Sequence, residues 1–549
     1  MTPEKNKFLL NITPRDYQQQ IFEKSKDKNS LIVLPTGIGK TLVALMLVID
    51  RMQKFPLEKI LFLAPTRPLA EQQMNYFKKH LPELFAQIDL FTGKVDAQNR
   101  RKIWDKADIV FSTPQCIGND IKKNLYTLEN VSLLIEDEVH RCVKNYSYTY
   151  VAKKYLEQAQ HPNLIGLSAS PGADKLAIKT ICDNLSIENV EIRTRNSEDV
   201  KEYLQDLEIQ TIKIEFPKKF EEIRNLFQTM LTKRTDELKA KKLLFGAPNK
   251  ITILDTQRRL MSQLSHGSKN FTLYRGVSLC AQALKIQHAI ELVETQTLYS
   301  LDNYLQGLFE QANQNQSKAV KTLILEPEFN KAYTITKELL AENIEHPKLL
   351  QLKDLVKQRK VKNPKFKAIV FSQYRDSVTK ICKELNSLDG VSARVFVGQT
   401  KKESNSKSNK EESGLSQKEQ QAIVREFSSG EFNILCATSI GEEGLDIPEV
   451  NAVFFYEPVP SAIRKIQRAG RTGRLMPGET ITLVTKNTKD EAHFWSAFHK
   501  EKRMYNALDS IKKDLAEGKA IQIEKEEKES EKKKENSILD KEEKQKTLI

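Results

Sequence analysis

The chain has 549 residues, 39% hydrophobic and 29% charged, too long for one core and balanced for a globular fold of several domains. Lys and Arg number 87 against 73 Asp and Glu, a net +14 that favours a polyanionic partner. No apolar run could span a bilayer, no basic-apolar leader stands at Met1, and the six cysteines are scattered without a C-x-x-C pair, which argues against membrane, secreted and zinc-cluster classes.

In chain order, short apolar runs alternate with helical stretches, the pattern of parallel α/β layers. The first series is Leu31–Leu34, Ile60–Ala64, Asp108–Ser112, Leu133–Asp137 and Leu164–Ser168. Each run ends in polar or glycine-containing chemistry, where open α/β sheets place ligands. After the first run comes PTGIGKT, Pro35, Thr36, Gly37, Ile38, Gly39, Lys40 and Thr41. The glycines let backbone N–H groups face the phosphates of ATP, Lys40 adds a point charge, and the Thr41 hydroxyl suits Mg2+. The helix that follows turns its positive end to the same anion. About a hundred residues on, LLIEDEVH ends a strand in two carboxylates. Asp137 is placed to hold the metal and Glu138 to orient or deprotonate the attacking water.

From about Phe216 to Leu350 strands give way to helices, with Phe220–Leu244 and Ser278–Gln311 amphipathic and Lys233, Arg234, Lys239, Lys241 and Lys242 on the polar side. A solvated face accounts for such charges, and so does a grip on a nucleic-acid backbone. Apolar runs return at Ala368–Phe371, Ala393–Val397, Ile434–Ala437, Ala452–Tyr456 and Thr480–Val484. Residues 401–413 read as an exposed polar loop. QRAGRTGR follows, with Arg471 and Arg474 three apart, on one face if helical, as arginine fingers for the γ-phosphate. The expected organisation is an α/β lobe over 1–215, a helical insert over 216–350, a second α/β lobe over 351–505, and a charged, flexible tail over 506–549.

These motifs resemble those of superfamily two helicases. More narrowly they resemble the helicase portion of archaeal Hef and its relative FANCM, through PRDYQ, APTRPLAEQ, EDEVHRCVKNYSY, GLSASPG, FSQYRDS, TSIGEEGLDIP and QRAGRTGRLMPG. The resemblance runs from about Thr13 to Met504. It implies two RecA-like parallel-sheet lobes and an ATP-dependent DNA helicase or translocase, 3′→5′, acting on forked or branched DNA in repair and replication restart. Arg15 and Gln18 would meet the adenine. Thr66, Arg67, Thr92, Gly93 and Thr113 would touch the DNA backbone from the first lobe, and Ser372, Gln373 and Thr438 from the second. His140 and Gln467 would couple nucleotide state to grip, and Gly444 and Asp446 would sit where both ligands meet.

The sequence departs from the pattern in three places. Pro35 stands near a glycine of the general P-loop pattern, Val139 replaces the Ala of the family's DEAH, and no XPF-like nuclease is expected after Met504. The final QKTLI partly resembles a sliding-clamp binding box through Gln545 and Leu548 but lacks its aromatic pair. Two rival readings stay open. One is a double-stranded-RNA motor of the Dicer and RIG-I type; the other is a scaffold that clamps junctions without hydrolysis. The address expected of such a protein is the cell interior, cytoplasmic and nucleoid-associated if prokaryotic.

Overall fold

A computed structural model describes residues 8–93, 95–144, 146–266, 270–398, 414–441, 447–473, 476–519 and 521. The chain divides into two compact units: Met1–Leu204 with Ser461–Ile466 and Phe498–Ile549, and Gln205–Pro460 with Gln467–Ala497.

The first unit is built on seven parallel strands: β1 (Ser30–Val33), β2 (Lys59–Leu63), β3 (Ile88–Leu90), β4 (Ile109–Ser112), β5 (Val131–Asp137), β6 (Leu164–Ser168) and β7 (Asn189–Ile192), in the order β3-β4-β2-β5-β6-β1-β7. Alternation along the strands fills two cores. Leu31, Val33, Leu61, Leu63 and Leu134 pack to one face, and Ile32, Ile60, Phe62, Leu133 and Ile135 to the other. The expected tail begins as structure, because the helix ending at Ala516 buries Met504, Leu508 and Ile511 in the first of these cores. Residue 506 is therefore not the start of a free segment. Residues 522–549, with Gln545 and Leu548, lie outside the described residues.

The second unit carries β8 (Leu207–Ile214), β9 (Ala368–Phe371), β10 (Ala393–Phe396), β11 (Ile434–Ala437), β12 (Ala452–Phe455) and β13 (Gly478–Thr485), ordered β10-β11-β9-β12-β13-β8, all parallel. β8 corrects the boundary expected at 215: it pairs with β13 over eight residues and so belongs to the second sheet. Its mostly exposed side chains hide it from a reading that looks for apolar runs.

The helical insert belongs to the same unit, with helices Lys218–Ala240, Lys250–Ser265, Phe271–Thr295, Leu298–Asn313, Lys318–Ile324 and Pro327–Ala341 around one core. The stretch expected over Ser278–Gln311 breaks at Gln296 and Thr297, where Thr297 caps the next helix through Ser300 N. Arg234 is a second correction. It is 3% exposed, donating to Gln282 Oε1 at 3.1 Å, to the Met230 carbonyl and to Glu326, and so is core rather than polar face. A fully buried pair, Lys348 Nζ to Asp490 Oδ2 at 2.6 Å, links insert and sheet through its neighbours: the Thr295 carbonyl of the insert accepts from the same ammonium at 2.8 Å, and Asp490 Oδ2 accepts from Thr485 N at the end of β13 at 3.0 Å. No helix among the described residues is long and apolar enough to cross a membrane.

Candidate nucleotide site and nucleic-acid edge

Apart from Arg15 and Gln18, which precede β1, every site residue expected in the first unit lies at the C-terminal end of a strand or just beyond it. The phosphate loop leaves β1 through Gly37 and Gly39, at φ +86° and +87°, a region open to glycine and costly for other residues. A Cβ on Gly39 would also lie 2.2 Å from Gln18 Nε2, so a side chain there would displace that amide. Helix Lys40–Lys54 starts at once, with no acidic residue in its first turn to compete for an anion. Lys40 Nζ donates to the Leu34 carbonyl at 3.4 Å, while Leu34 N is tied to the Ser168 carbonyl at 3.1 Å. The Ser168-Ala169-Ser170 triplet thus anchors the loop's entry. Pro35, Thr36 and Thr41 are half-buried. Pro35 takes the chain out of β1 near the place where the general P-loop pattern has glycine.

Helix Asp16–Ser25 bears on this loop from outside. Tyr17 Oη and Gln18 Nε2 both donate to the Ile38 carbonyl, at 2.5 and 3.1 Å. Gln18 Oε1 accepts from Arg15 N at 2.9 Å, and the residue is 3% exposed. The Gln18 amide thus braces the phosphate loop beside the place where the adenine is expected. Arg15 lies over the Tyr203 ring at 4.8 Å.

Asp137 closes β5 at 4% exposure. Its Oδ1 accepts from Glu138 N and its Oδ2 from Gln73 Nε2, each at 3.0 Å, and its carbonyl accepts from Tyr148 Oη at 2.6 Å. Burial, then the Glu138 charge, push its carboxyl up to about 6, and the Lys40 charge works against both. Glu138 is held at φ +52°, the left-handed region rarely adopted by a non-glycine residue, and strain of order 1–3 kcal/mol is typical of functional positions of this kind. Its Oε2 lies 3.3 Å from His140 Nδ1. Val139 is fully buried, and β6 makes room for it with Gly166, where a Cβ would come within 3.2 Å of the valine Cγ2. The departure from DEAH is therefore packing, behind the acidic pair. Glu136 points away from the site, fully buried, and burial pushes its carboxyl up to about 8.

Three further strand ends carry the expected nucleic-acid contacts. Thr66 and Arg67 follow β2, with the Thr66 hydroxyl unpartnered; Thr92 and Gly93 follow β3; Thr113 follows β4. A Cβ on Gly93 would meet nothing within 4 Å, so this turn is open to a ligand. The strand order puts β3, β4 and β2 on one side and β5, β6 and β1 on the other. One sheet edge therefore has a half suited to a strand's backbone and a half suited to a nucleotide. Gln73, which sequence reasoning passed over, joins them: its helix, Arg67–His80, starts in the first half, and its amide ends on Asp137 in the second. Gln72 beside it has the same chemistry, so no sequence signal distinguishes the two.

In the second unit, Gln373 is exposed at the end of β9, its N–H held by Glu457 Oε1 at 2.6 Å. Ser372 is a correction. Its fully buried hydroxyl reaches Gln296 Oε1 at 3.1 Å and Glu457 Oε2 at 3.0 Å, so it ties the helical insert to the sheet and does not face a ligand. Burial pushes the Glu457 carboxyl up to about 7, against the opposing charge of Arg468. Thr438 follows β11 at 8% exposure. Gln467 lies on helix Ala462–Ala469, which ends before Gly470, so the glycines of QRAGRTGR follow the helix instead of interrupting it. Arg471 stands in the turn beyond, its carbonyl accepting from Val450 N at 3.1 Å. Arg474, Gly444, Asp446 and residues 401–413 lie outside the described residues.

Comparison with known proteins gives three consecutive family matches. They are the type III restriction enzyme res subunit over residues 11–173, a helical bundle provisionally described for ATP-dependent RNA helicases over 219–345, and the helicase conserved C-terminal domain over 347–476. The crystal structure of the Pyrococcus furiosus Hef helicase domain is 40% identical with a TM-score of 0.66, over 88% of this chain and 98% of that one. A Methanocaldococcus jannaschii protein, provisionally named an ATP-dependent RNA helicase, is 36% identical over 90% of this chain and 61% of its own length. ATP-dependent DNA helicase mph1 of Neurospora crassa is 30% identical over 88% of this chain and 42% of its own. The Fanconi anemia group M protein homolog of Mus musculus is 29% identical over 91% and 26%. The chain therefore spans between about a quarter and three fifths of these curated relatives.

Proposed function

Because the chain belongs to the Hef, FANCM and Mph1 family of ATP-driven helicases, we propose that its track is DNA and that it remodels forked or branched DNA with 3′→5′ movement, in repair and replication restart inside the cell. The observation that carries this reading is the divided edge of the first sheet, with hydroxyls and an open glycine turn after β2, β3 and β4 and the phosphate loop and acidic pair after β1 and β5. Hydroxyls and backbone N–H groups grip phosphate and sugar without reading bases, which suits a motor that must run over any sequence.

Each residue has a task in this reading. Lys40 and the loop N–H groups hold the β- and γ-phosphates, and Glu138 takes or orients the proton of the attacking water. Arg471 and Arg474 stabilise charge developing on the γ-phosphate. Arg15 borders the nucleotide, Gln18 keeps the loop in shape, and His140, Gln467, Gly444 and Asp446 relay nucleotide state to the grip. Mg2+ typically keeps several waters and binds through one or two protein oxygens plus substrate phosphates, and the Thr41 hydroxyl and the Asp137 carboxylate are a set of that kind. Bound there, the ion would neutralise phosphate charge. Thr66, Arg67, Thr92, Gly93, Thr113, Gln373 and Thr438 contact the strand, and the helical insert clamps beside it.

Duplex RNA is the second reading, favoured by the name of the Methanocaldococcus jannaschii relative and by the family matched over 219–345. Phosphate release measured with fork, four-way and linear DNA and with double-stranded RNA tests both. Fork DNA stimulating most supports the proposal, and RNA stimulating most overturns it.

A further inference from the structure

The far end of the helical insert has a composition unlike the rest of the chain. From Lys233 to Arg275 the sequence holds ten Lys and Arg against three Asp and Glu, a surplus of +7 in 43 residues, half of the chain's net +14. The same stretch contains three of the five large aromatic side chains that stand exposed among the described residues: Phe245 at 62%, Phe271 at 83% and Tyr274 at 54%. Exposed rings cost solvation and are scattered at random when they mean nothing. Here they share ground with half the surplus charge.

The segments that bear these residues converge at one end of the insert. The Arg259 guanidinium lies 5.3 Å over the Phe245 ring and donates to the Leu243 carbonyl. A Cβ on Gly276 would lie 2.6 Å from Leu243 Cδ1 and 2.9 Å from Leu260 Cδ1, so the end of one helix, the middle of the next and the start of a third close on each other there. Phe271 and Tyr274, three apart in the first turns of helix Phe271–Thr295, share a face at that same end. The other end of this 25-residue helix reaches Gln296, which touches Ser372 at the edge of the second sheet. At 1.5 Å per residue the two ends stand roughly 37 Å apart. A strand held at the sheet edge is out of reach of the aromatic end, so that end serves a different stretch of ligand.

We propose that the distal end of the helical insert is a separate binding site for unpaired nucleic-acid bases, which stack on Phe245, Phe271 and Tyr274 while Lys241, Lys242 and Arg258 meet the backbone. This rests on the reading of the chain as a nucleic-acid motor and adds to it a second site with its own ligand. Stacked bases in a duplex hide their faces and offer only phosphates to a clamp, which would need the lysines and not the rings. Exposed rings beside cations are what single strands require, each stacked base contributing about 1–3 kcal/mol. On a fork, such a site would take the arm that the sheet edges do not hold.

The test uses the whole chain, an end-labelled oligothymidylate long enough to span both ends of the insert, and a blunt DNA duplex of equal length. In the Phe245→Ala, Phe271→Ala, Tyr274→Ala variant, affinity for the single strand should fall by tenfold or more, while duplex affinity changes less than twofold. The single Phe271→Ala variant, at the most exposed ring, should show the same direction and guards against misfolding of the triple variant. Equal losses on both probes, or no loss on either, would overturn the proposal, the latter leaving the rings to a protein partner. Failure of the wild-type chain to bind either probe would instead remove the motor reading beneath it.

Discussion

Gln73 Nε2 donates to Asp137 Oδ2 at 3.0 Å from a helix whose first residues, beside Thr66, face the other half of the same sheet edge. On the proposed function, a strand pulling on Thr66 or Arg67 would act, through one helix, on the carboxylate proposed to hold the metal. Removing the amide should uncouple the two. A hydrogen bond to a charged group contributes about 1.5–3 kcal/mol. Gln73→Ala should accordingly lower DNA-stimulated phosphate release by about tenfold or more, with basal release less affected. Equal loss of both rates would make Gln73 a structural residue only.

Gln18 is expected to act on the phosphate loop. Gln18→Ala frees the Ile38 carbonyl from one of its two side-chain donors, Tyr17 being the other. The KM for ATP should rise several-fold with kcat less changed. Gly39→Ala should be far more damaging, and Gly39→Ala with Gln18→Ala should not rescue it. The double variant removes the 2.2 Å clash but leaves φ at +87°, a conformation that costs other residues about 1–2 kcal/mol. Rescue to wild-type ATP binding would contradict this account of the loop.

Glu136 makes a stability prediction with a definite sign. Burial raises its folded pKa from 4.5 to about 8, so the folded state binds a proton that the unfolded state has released. Its contribution is fully present below about 4.5 and is lost progressively as pH rises through about 8, at up to about 1.4 kcal/mol per pH unit. The melting temperature of the wild-type chain should fall between pH 5 and 8 relative to that of Glu136→Gln, which has no proton to lose there. Parallel melting curves would show that Glu136 is hydrated or paired in solution.

Lys348 and Asp490 are both fully buried at 2.6 Å, and the same ammonium holds the Thr295 carbonyl at the end of an insert helix. Lys348→Met strands a buried carboxylate and should cost about 3–5 kcal/mol. Lys348→Met with Asp490→Asn should recover part of the loss in denaturant melts. A Lys348→Met variant as stable as wild type would show the pair to be dispensable.

The legible parts of this chain were those with a single periodicity or a single required chemistry. Apolar runs mark ten of the thirteen strands, since a strand covered on both faces has no polar residues to blur it. Among the described residues, three strands carry no such run: β3, with three residues, β7, with Asn189 and Glu191 among its four, and the exposed edge strand β8. PTGIGKT and DEVH are legible because phosphate needs backbone N–H groups and the metal needs a carboxylate wherever the chain puts them. The partners of Arg234, Gln18 and Ser372 are hidden from the sequence for one shared reason. A polar side chain reads as surface or site until its partner is known, and Glu326, Ile38 and Glu457 lie 92, 20 and 85 residues away. Gln73 was missed on the same ground, with Asp137 separated from it by 64 positions.

Phosphate release by wild-type and Lys40→Ala chains, with and without fork DNA, tests the central claim most directly. The wild-type rate should rise several-fold with the fork. Lys40→Ala should remain at background in both conditions while still binding DNA, with an affinity that drops steeply as salt is raised. Hydrolysis by Lys40→Ala at the wild-type rate would place the chemistry elsewhere and contradict the account.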